Sequence, residues 1–190
     1  MTKDIERKIA VIFVTDVVGF SKMMEKNEDE TLRSFRSCRD ILDNLFKEHS
    51  GRIFNTAGDS VLAEFQSAVS AVICAKEFQN LVRERNANVE EDAVMHFRIG
   101  LNMGDVIVEG ENLYGEGVNV AARLEALSQP DGVSLSKSIL DFVNKKTELD
   151  FHDLGEQKVK NTTVHAFDLA DPDLEVRKLE TNNQDEEESK

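Results

Sequence analysis

At 190 residues the chain is long enough for one sizeable core, a size at which roughly 70% of the unfolded surface is buried on folding. Apolar residues make up 40% and Gly and Pro number only 10 and 2, which excludes fibrous and low-complexity architectures. The net charge of −14 excludes a nucleic-acid-binding surface, which needs a basic stripe; residues 171–190 carry −5 of it and leave −9 for the rest. A phosphate substrate is compatible with that charge if it arrives with cations or meets a few placed Lys and Arg side chains.

In chain order, Met1 to Lys8 is charged and lacks an apolar stretch, so no signal peptide is expected. The longest apolar run, Ile9 to Val14, is far too short to span a bilayer. Cys38 and Cys74 fall on helical apolar patterns and read as buried thiols in a reducing, cytoplasmic setting. Lys8 to Thr15 is β-branched and apolar throughout, the pattern of a central strand buried on both faces, and a small-residue turn follows at 17–21. Leu32, Phe35, Leu42, Leu45 and Phe46 predict one amphipathic helix over 28–49. Strands over 52–56 and 60–65 meet at Ala57-Gly58-Asp59, and Ser67 can cap a helix with the stripe Ala68, Ala71, Val72, Ala75, Phe78, Leu81, Val82.

Residues 94–102 and 105–108 read as a second strand pair around Met103-Gly104. A Gly-punctuated loop over 110–117 leads to a helix over 118–127, a strand at 133–135, a helix at 137–145 and strands at 149–154 and 164–169. This alternation predicts an α+β fold with a ferredoxin-like core: a mainly antiparallel sheet with helices packed on one face. Apolar periodicity stops near Asp171, so the expected organisation is one domain over 1–170 and an acidic, disordered tail over 171–190.

Four places carry potential chemistry. Asp16 ends a strongly apolar strand, either as a cap or as a ligand, and Gly19 after it lets the N–H groups around Phe20 and Ser21 turn toward an anion. Asp59 follows Gly58 in the predicted turn, either as a turn former or as a second carboxylate beside the first. Together the two suit Mg²⁺ or Mn²⁺ held with a substrate phosphate. Asn119 and Arg123, at i and i+4, share one helix face, and a guanidinium fork matches two oxygens of a phosphoryl group at once. Lys160 lies in a loop before the last strand. The histidines (His49, His96, His152, His165) show no ligand spacing, Ser21, Ser60 and Ser134 have no activating partner, and there is no C-x-x-C or G-x-x-x-x-G-K-[ST].

In this order the motifs F-V-T-D-V-V-G-F-S (13–21), G-R-I-F-N-T-A-G-D-S-V-L-A-E-F (51–65), L-Y-G-E-G-V-N-V-A-A-R-L (113–124) and D-L-G-E-Q-K-V-K (153–160) resemble the class III adenylate/guanylate cyclase catalytic domain over nearly all of 8–170. The resemblance implies two metal ions per site, Mg²⁺ or Mn²⁺, on Asp16 and Asp59 with the backbone carbonyl of Val17. It implies that Asn119 orients the ribose, Arg123 stabilises the transition state and Lys160 contacts the β/γ-phosphates. It also implies a homodimer, because in the family the aspartates and the Asn/Arg pair of one site come from different subunits.

The base-reading positions depart from the best-known patterns of that family. Adenylate cyclases place Lys before T-x-G-D and Asp or Thr before x-[WY]-G, and guanylate cyclases place Glu and Cys there; here both are asparagine, Asn55 and Asn112. An amide complements adenine, so the expected function is conversion of ATP to 3′,5′-cyclic AMP and pyrophosphate. The alternatives are a cyclase with GTP activity and a non-catalytic, dimeric nucleotide-binding or regulatory module.

Overall fold

The computed structural model describes residues 4–181. The apolar run forms β1 (Glu6–Val17), buried without a break from Ala10 to Thr15. Antiparallel β3 (Ser60–Phe65) lies on one side of it and β4 (Phe97–Glu109) on the other, with β2 (Arg52–Ala57) outside β3. Next to β4 comes β6 (Val133–Ser136), the one parallel neighbour, then β8 (Thr162–Leu169) and β7 (Phe151–Val159). The order is β2-β3-β1-β4-β6-β8-β7, and the short β5 (Asn112–Tyr114) pairs with the far end of β4. The expected mainly antiparallel α+β sheet is present.

Helices α2 (Glu28–His49), α3 (Ala68–Asn86) and α5 (Lys137–Val143) cover one face. Their Cys38, Leu42, Phe46, Ala71, Phe78 and Ile139 share one buried cluster with Phe13, Ile99 and Leu101 of the sheet. Phe13, Phe46 and Phe65 interlock there at ring-centroid distances of 5.2 to 5.7 Å, within the range that favours aromatic pairs. Asn27 caps α2, its Oδ1 accepting from Glu30 N at 3.1 Å, and Ser67 caps α3 as its sequence suggests.

Four features differ from the sequence-based expectation. Helices cover both faces, because β1 is apolar in both directions: Ala10, Ile12 and Val14 point to the side where α4 (Glu116–Leu127) lies, against its Val118 and Ala121. Residues 97–109 form one strand, with no turn at Met103-Gly104; the close approach of α4 here falls at Gly117, whose would-be Cβ would lie 2.8 Å from Asp105 O and 3.1 Å from Gly104 C. The expected turn after β1 is confined to Val18-Gly19, and a short helix α1 (Phe20–Lys26) follows it, started by Gly19 at φ 67°. Residues 171–181 contain no helix or strand, yet they run along the body of the domain, held by contacts described below, rather than leaving it at Asp171. Asp185 to Glu188, the densest part of the expected acidic tail, lie outside the described residues.

One glycine fixes how deeply α4 settles on the sheet. A Cβ on Gly100 of β4 would overlap the backbone of Ala121 and Glu125, neither of which can swing away. Gly100→Ala is therefore expected to lower stability by about 3 kcal/mol, an overpacking cost, seen as a lower urea midpoint at unchanged m-value.

Candidate functional site

Asp16 sits at the end of β1, half-buried, and Asp59 in the β2–β3 turn after Gly58, whose φ of 59° suits glycine. Because β3 is the neighbour of β1, pairing Val61 with Thr15, that turn closes on the end of β1. Asp59 Oδ2 accepts from Val17 N at 2.8 Å, so the two aspartates and the Val17 backbone form one group.

Two residues not singled out from the sequence complete this group. Arg98 of β4 stands directly across the ladder from Asp16, and its carbonyl accepts from the Thr15 hydroxyl at 2.8 Å. Glu125 of α4 comes down on the same spot through the gap left by Gly100. Asp16, Asp59 and Arg98 all act electrostatically on the Glu125 carboxyl. Burial, then contact with Asp16, pushes the Glu125 carboxyl up to about 9; Asp59 adds to the shift and Arg98 opposes it. Asp16 Oδ1, Glu125 Oε1 and Arg98 Nε are buried with no hydrogen-bond partner among the described residues. The sequence carried a signal for both missed residues: each is a charge placed on an inward-facing position, Arg98 in an apolar strand and Glu125 four residues after Ala121 on the packed side of α4.

Buried, unpartnered carboxylate oxygen in an acid-rich pocket fits a hard divalent cation. The donors are all oxygen, and the excess negative charge calls for more cation than Arg98 supplies. Next to this group, Gly19 starts α1, and Phe20 turns its ring into the core, 5.6 Å from Phe35. The backbone N–H groups of Phe20 and exposed Ser21 lie in the first turn of the helix, where no intrahelical acceptor exists.

The other residues named from the sequence lie elsewhere. Asn119 is exposed on the outer side of α4, and Arg123 Nη1 donates to Thr162 Oγ1 of β8. Lys160 is in the tight turn just before Thr162, exposed, at φ 56°. β8 stands three strands from β1, roughly 14 Å at about 4.8 Å per strand. The pairing directions also make β8 begin at the sheet end opposite to the one where β1 finishes. One chain therefore keeps the Asp16–Asp59 group apart from Arg123 and Lys160. Asn55 is exposed on β2, and Asn112 on β5 accepts at Oδ1 from Leu113 N (2.8 Å) while its Nδ2 donates to Tyr114 OH (3.0 Å). Arg52 Nη1 reaches the Glu111 carbonyl at 2.7 Å and ties β2 to the turn before β5.

A protein of Rhizobium meliloti named "Putative adenylate cyclase 3" is 42% identical over 160 residues, covering 84% of this chain and 27% of that protein. The chain thus spans about a quarter of the length of that curated relative. Among solved structures, an "Adenylate/Guanylate Cyclase/Hydrolase" from Silicibacter pomeroyi superposes with a TM-score of 0.81 at 34% identity, covering 88% of this chain and 99% of the other. The adenylyl cyclase CyaB from P. aeruginosa shares the fold, with a TM-score of 0.76 at 20% identity over 94% of this chain and all of the other (100%). No helix among the described residues is long and apolar enough to cross a membrane. The family model described as "Adenylate and Guanylate cyclase catalytic domain" matches residues 2–170, and the chain belongs to that family.

Proposed function

We propose that this chain converts ATP to 3′,5′-cyclic AMP and pyrophosphate in the cytoplasm, at sites built between two copies. The observation that carries the reading is the separation just described: Asp16 and Asp59, with unpartnered carboxylate oxygen beside them, close on the end of β1, whereas Arg123 and Lys160 lie at the start of β8 and Asn119 faces outward on α4. Two copies placed head to tail would bring one set of each together, twice.

In the reaction the ribose 3′-oxygen forms a bond to the α-phosphorus while the bond to the pyrophosphate oxygen breaks, and the hydroxyl proton leaves to solvent. Asp16 and Asp59, with the Val17 carbonyl, would hold the two cations (Mg²⁺ or Mn²⁺). When bound, these supply Lewis-acid polarisation of the phosphoryl oxygens and lower the pKa of the 3′-hydroxyl. The remaining work is positioning and charge stabilisation. Backbone N–H groups at Gly19, Phe20 and Ser21 face the phosphates. From the partner copy Asn119 orients the ribose, Arg123 neutralises charge growing on the phosphoryl oxygens, and Lys160 grips the β/γ-phosphates.

Asn55 and Asn112 read the base. Asn Oδ1 accepts from the adenine N6 amine while Nδ2 donates to a ring nitrogen, a pairing that discriminates by about 1–3 kcal/mol. A rotated amide serves guanine less well, so ATP is expected to be preferred by roughly tenfold, with some GTP turnover. The assay is kcat/KM with Mn²⁺ and each triphosphate for the parent, Asn55→Ala and Asn112→Ala, read as cyclic product. Preference for GTP, or an unchanged ratio in both variants, would remove these asparagines from base reading.

A further inference from the structure

The described chain continues past the family match, which ends at residue 170, and its course is specific. Arg83 of α3 holds Asp171 at 3.0 Å and Asp173 at 3.3 Å, starting the segment at the sheet edge. Arg177 then grips Asp168 of β8 with two hydrogen bonds, Nε to Oδ2 at 2.7 Å and Nη2 to Oδ1 at 3.0 Å. Asp168 is only 4% exposed and also accepts from the Ser134 hydroxyl at 2.8 Å. Two residues on, Leu179 joins a small cluster made of Leu124 of α4 with Leu154, Val164 and Ala166 of β7 and β8; Val120 and Leu127 of α4 pack on the same cluster. Gln157 Nε2 reaches the Glu180 carbonyl at 3.4 Å, and Thr181 lies over Gly155.

We propose that residues 171–181 form a strap that sets the pose of α4 on β7 and β8, with Arg177 and Leu179 acting as positioning residues for Asn119 and Arg123. This rests on the reading of those two side chains as one half of a site shared between copies. The cluster that Leu179 completes lies between α4 and the strands carrying Thr162 and Lys160. It is small, with four buried members, so one leucine is a large part of it. Val120 and Leu124 are the immediate neighbours of Asn119 and Arg123, so a shift of α4 there moves both functional side chains. Asp16 and Asp59, the two aspartates of the acidic group, sit on β1 and the β2–β3 turn and make no hydrogen bond or ion pair with the strap among the described residues; Glu125, the one member carried by α4, is seated against Gly100 of β4.

The strap is thus expected to serve one half of the site. Leu179→Ser and Arg177→Gln should lower kcat roughly 10- to 100-fold, the cost of misplacing a reacting group by about 1 Å. KM for the triphosphate should stay within about twofold, since ground-state binding is spared, and Arg177→Lys should recover part of the loss.

Mixing distinguishes this from general destabilisation. A strap variant mixed with Asp59→Ala chains forms one site from its own intact aspartates and the other chain's intact α4, so activity should return. Mixed with Arg123→Ala chains it should not, because both lesions fall in the same half. Unchanged kcat, or equal rescue by both partners, or rescue by neither while Asp59→Ala and Arg123→Ala rescue each other, would overturn the strap proposal and leave the shared site standing. If that control pair fails to rescue despite proven subunit exchange, the shared-site reading falls and the strap with it.

Discussion

Asp16→Asn and Asp59→Asn should each lower cyclic-product formation by on the order of 10³ or more while the protein stays folded. The amide keeps the size of the carboxylate, and at position 59 its oxygen can still accept from Val17 N, the 2.8 Å bond that closes the turn onto β1. What disappears is the charge that would hold a cation. Near-parental turnover in either variant would sink the two-cation site. Stability should barely change, because the lost charge stood among like charges: Asp16 and Asp59 both push the Glu125 carboxyl upward.

The same crowding sets a pH dependence. Glu125 titrates near its ordinary value of 4.5 when unfolded and at about 9 when folded. Between those values the folded state binds the extra proton, so in chelator the stability present below about pH 4.5 is lost as pH rises toward 9, by up to about 1.4 kcal/mol per unit. Mn²⁺, or Asp16→Asn, should narrow that window from its upper end by relieving the negative charge around Glu125, while burial, the largest cause, still holds the carboxyl raised. Denaturation midpoints between pH 5 and 9 with chelator or Mn²⁺ measure it, and a flat profile in chelator would contradict the buried neutral carboxyl.

Much of this group was readable from residue order. Asp16 ends a run apolar enough to form only a central strand, and Asp59 sits in a turn two short strands define, so adjacency needed only that one of those strands pair with β1. What local pattern could not supply was anything decided by a long-range contact. Glu125 and Arg98 meet because β4 lies antiparallel to β1 in one register and because Gly100 admits α4, facts absent from either segment alone. A Met-Gly pair reads as a turn equally well whether or not the chain bends there; at Gly104 the strand runs straight on, paired with β1. The strap escaped notice because Leu174, Arg177 and Leu179 follow neither helical nor strand spacing, as suits an extended segment laid over other elements.

Arg123→Ala should lose on the order of 10²–10³ in kcat, the typical effect of removing one charge-stabilising donor, yet regain activity when mixed with the equally inactive Asp59→Ala chain. The expectation follows from where the two residues lie. Arg123 is tied to Thr162 at the start of β8, and Asp59 closes on the end of β1, three strands away and at the other end of the sheet. In a head-to-tail pair each site takes Asp59 from one copy and Arg123 from the other. A mixed pair therefore has one site carrying both lesions and one carrying neither. With random exchange of equal amounts, half the dimers are mixed, so activity should recover to about a quarter of the parent's per chain. Subunit exchange is verified independently with differently labelled chains. Exchange without recovery would show that each chain completes its own site, which the separation of the two groups argues against.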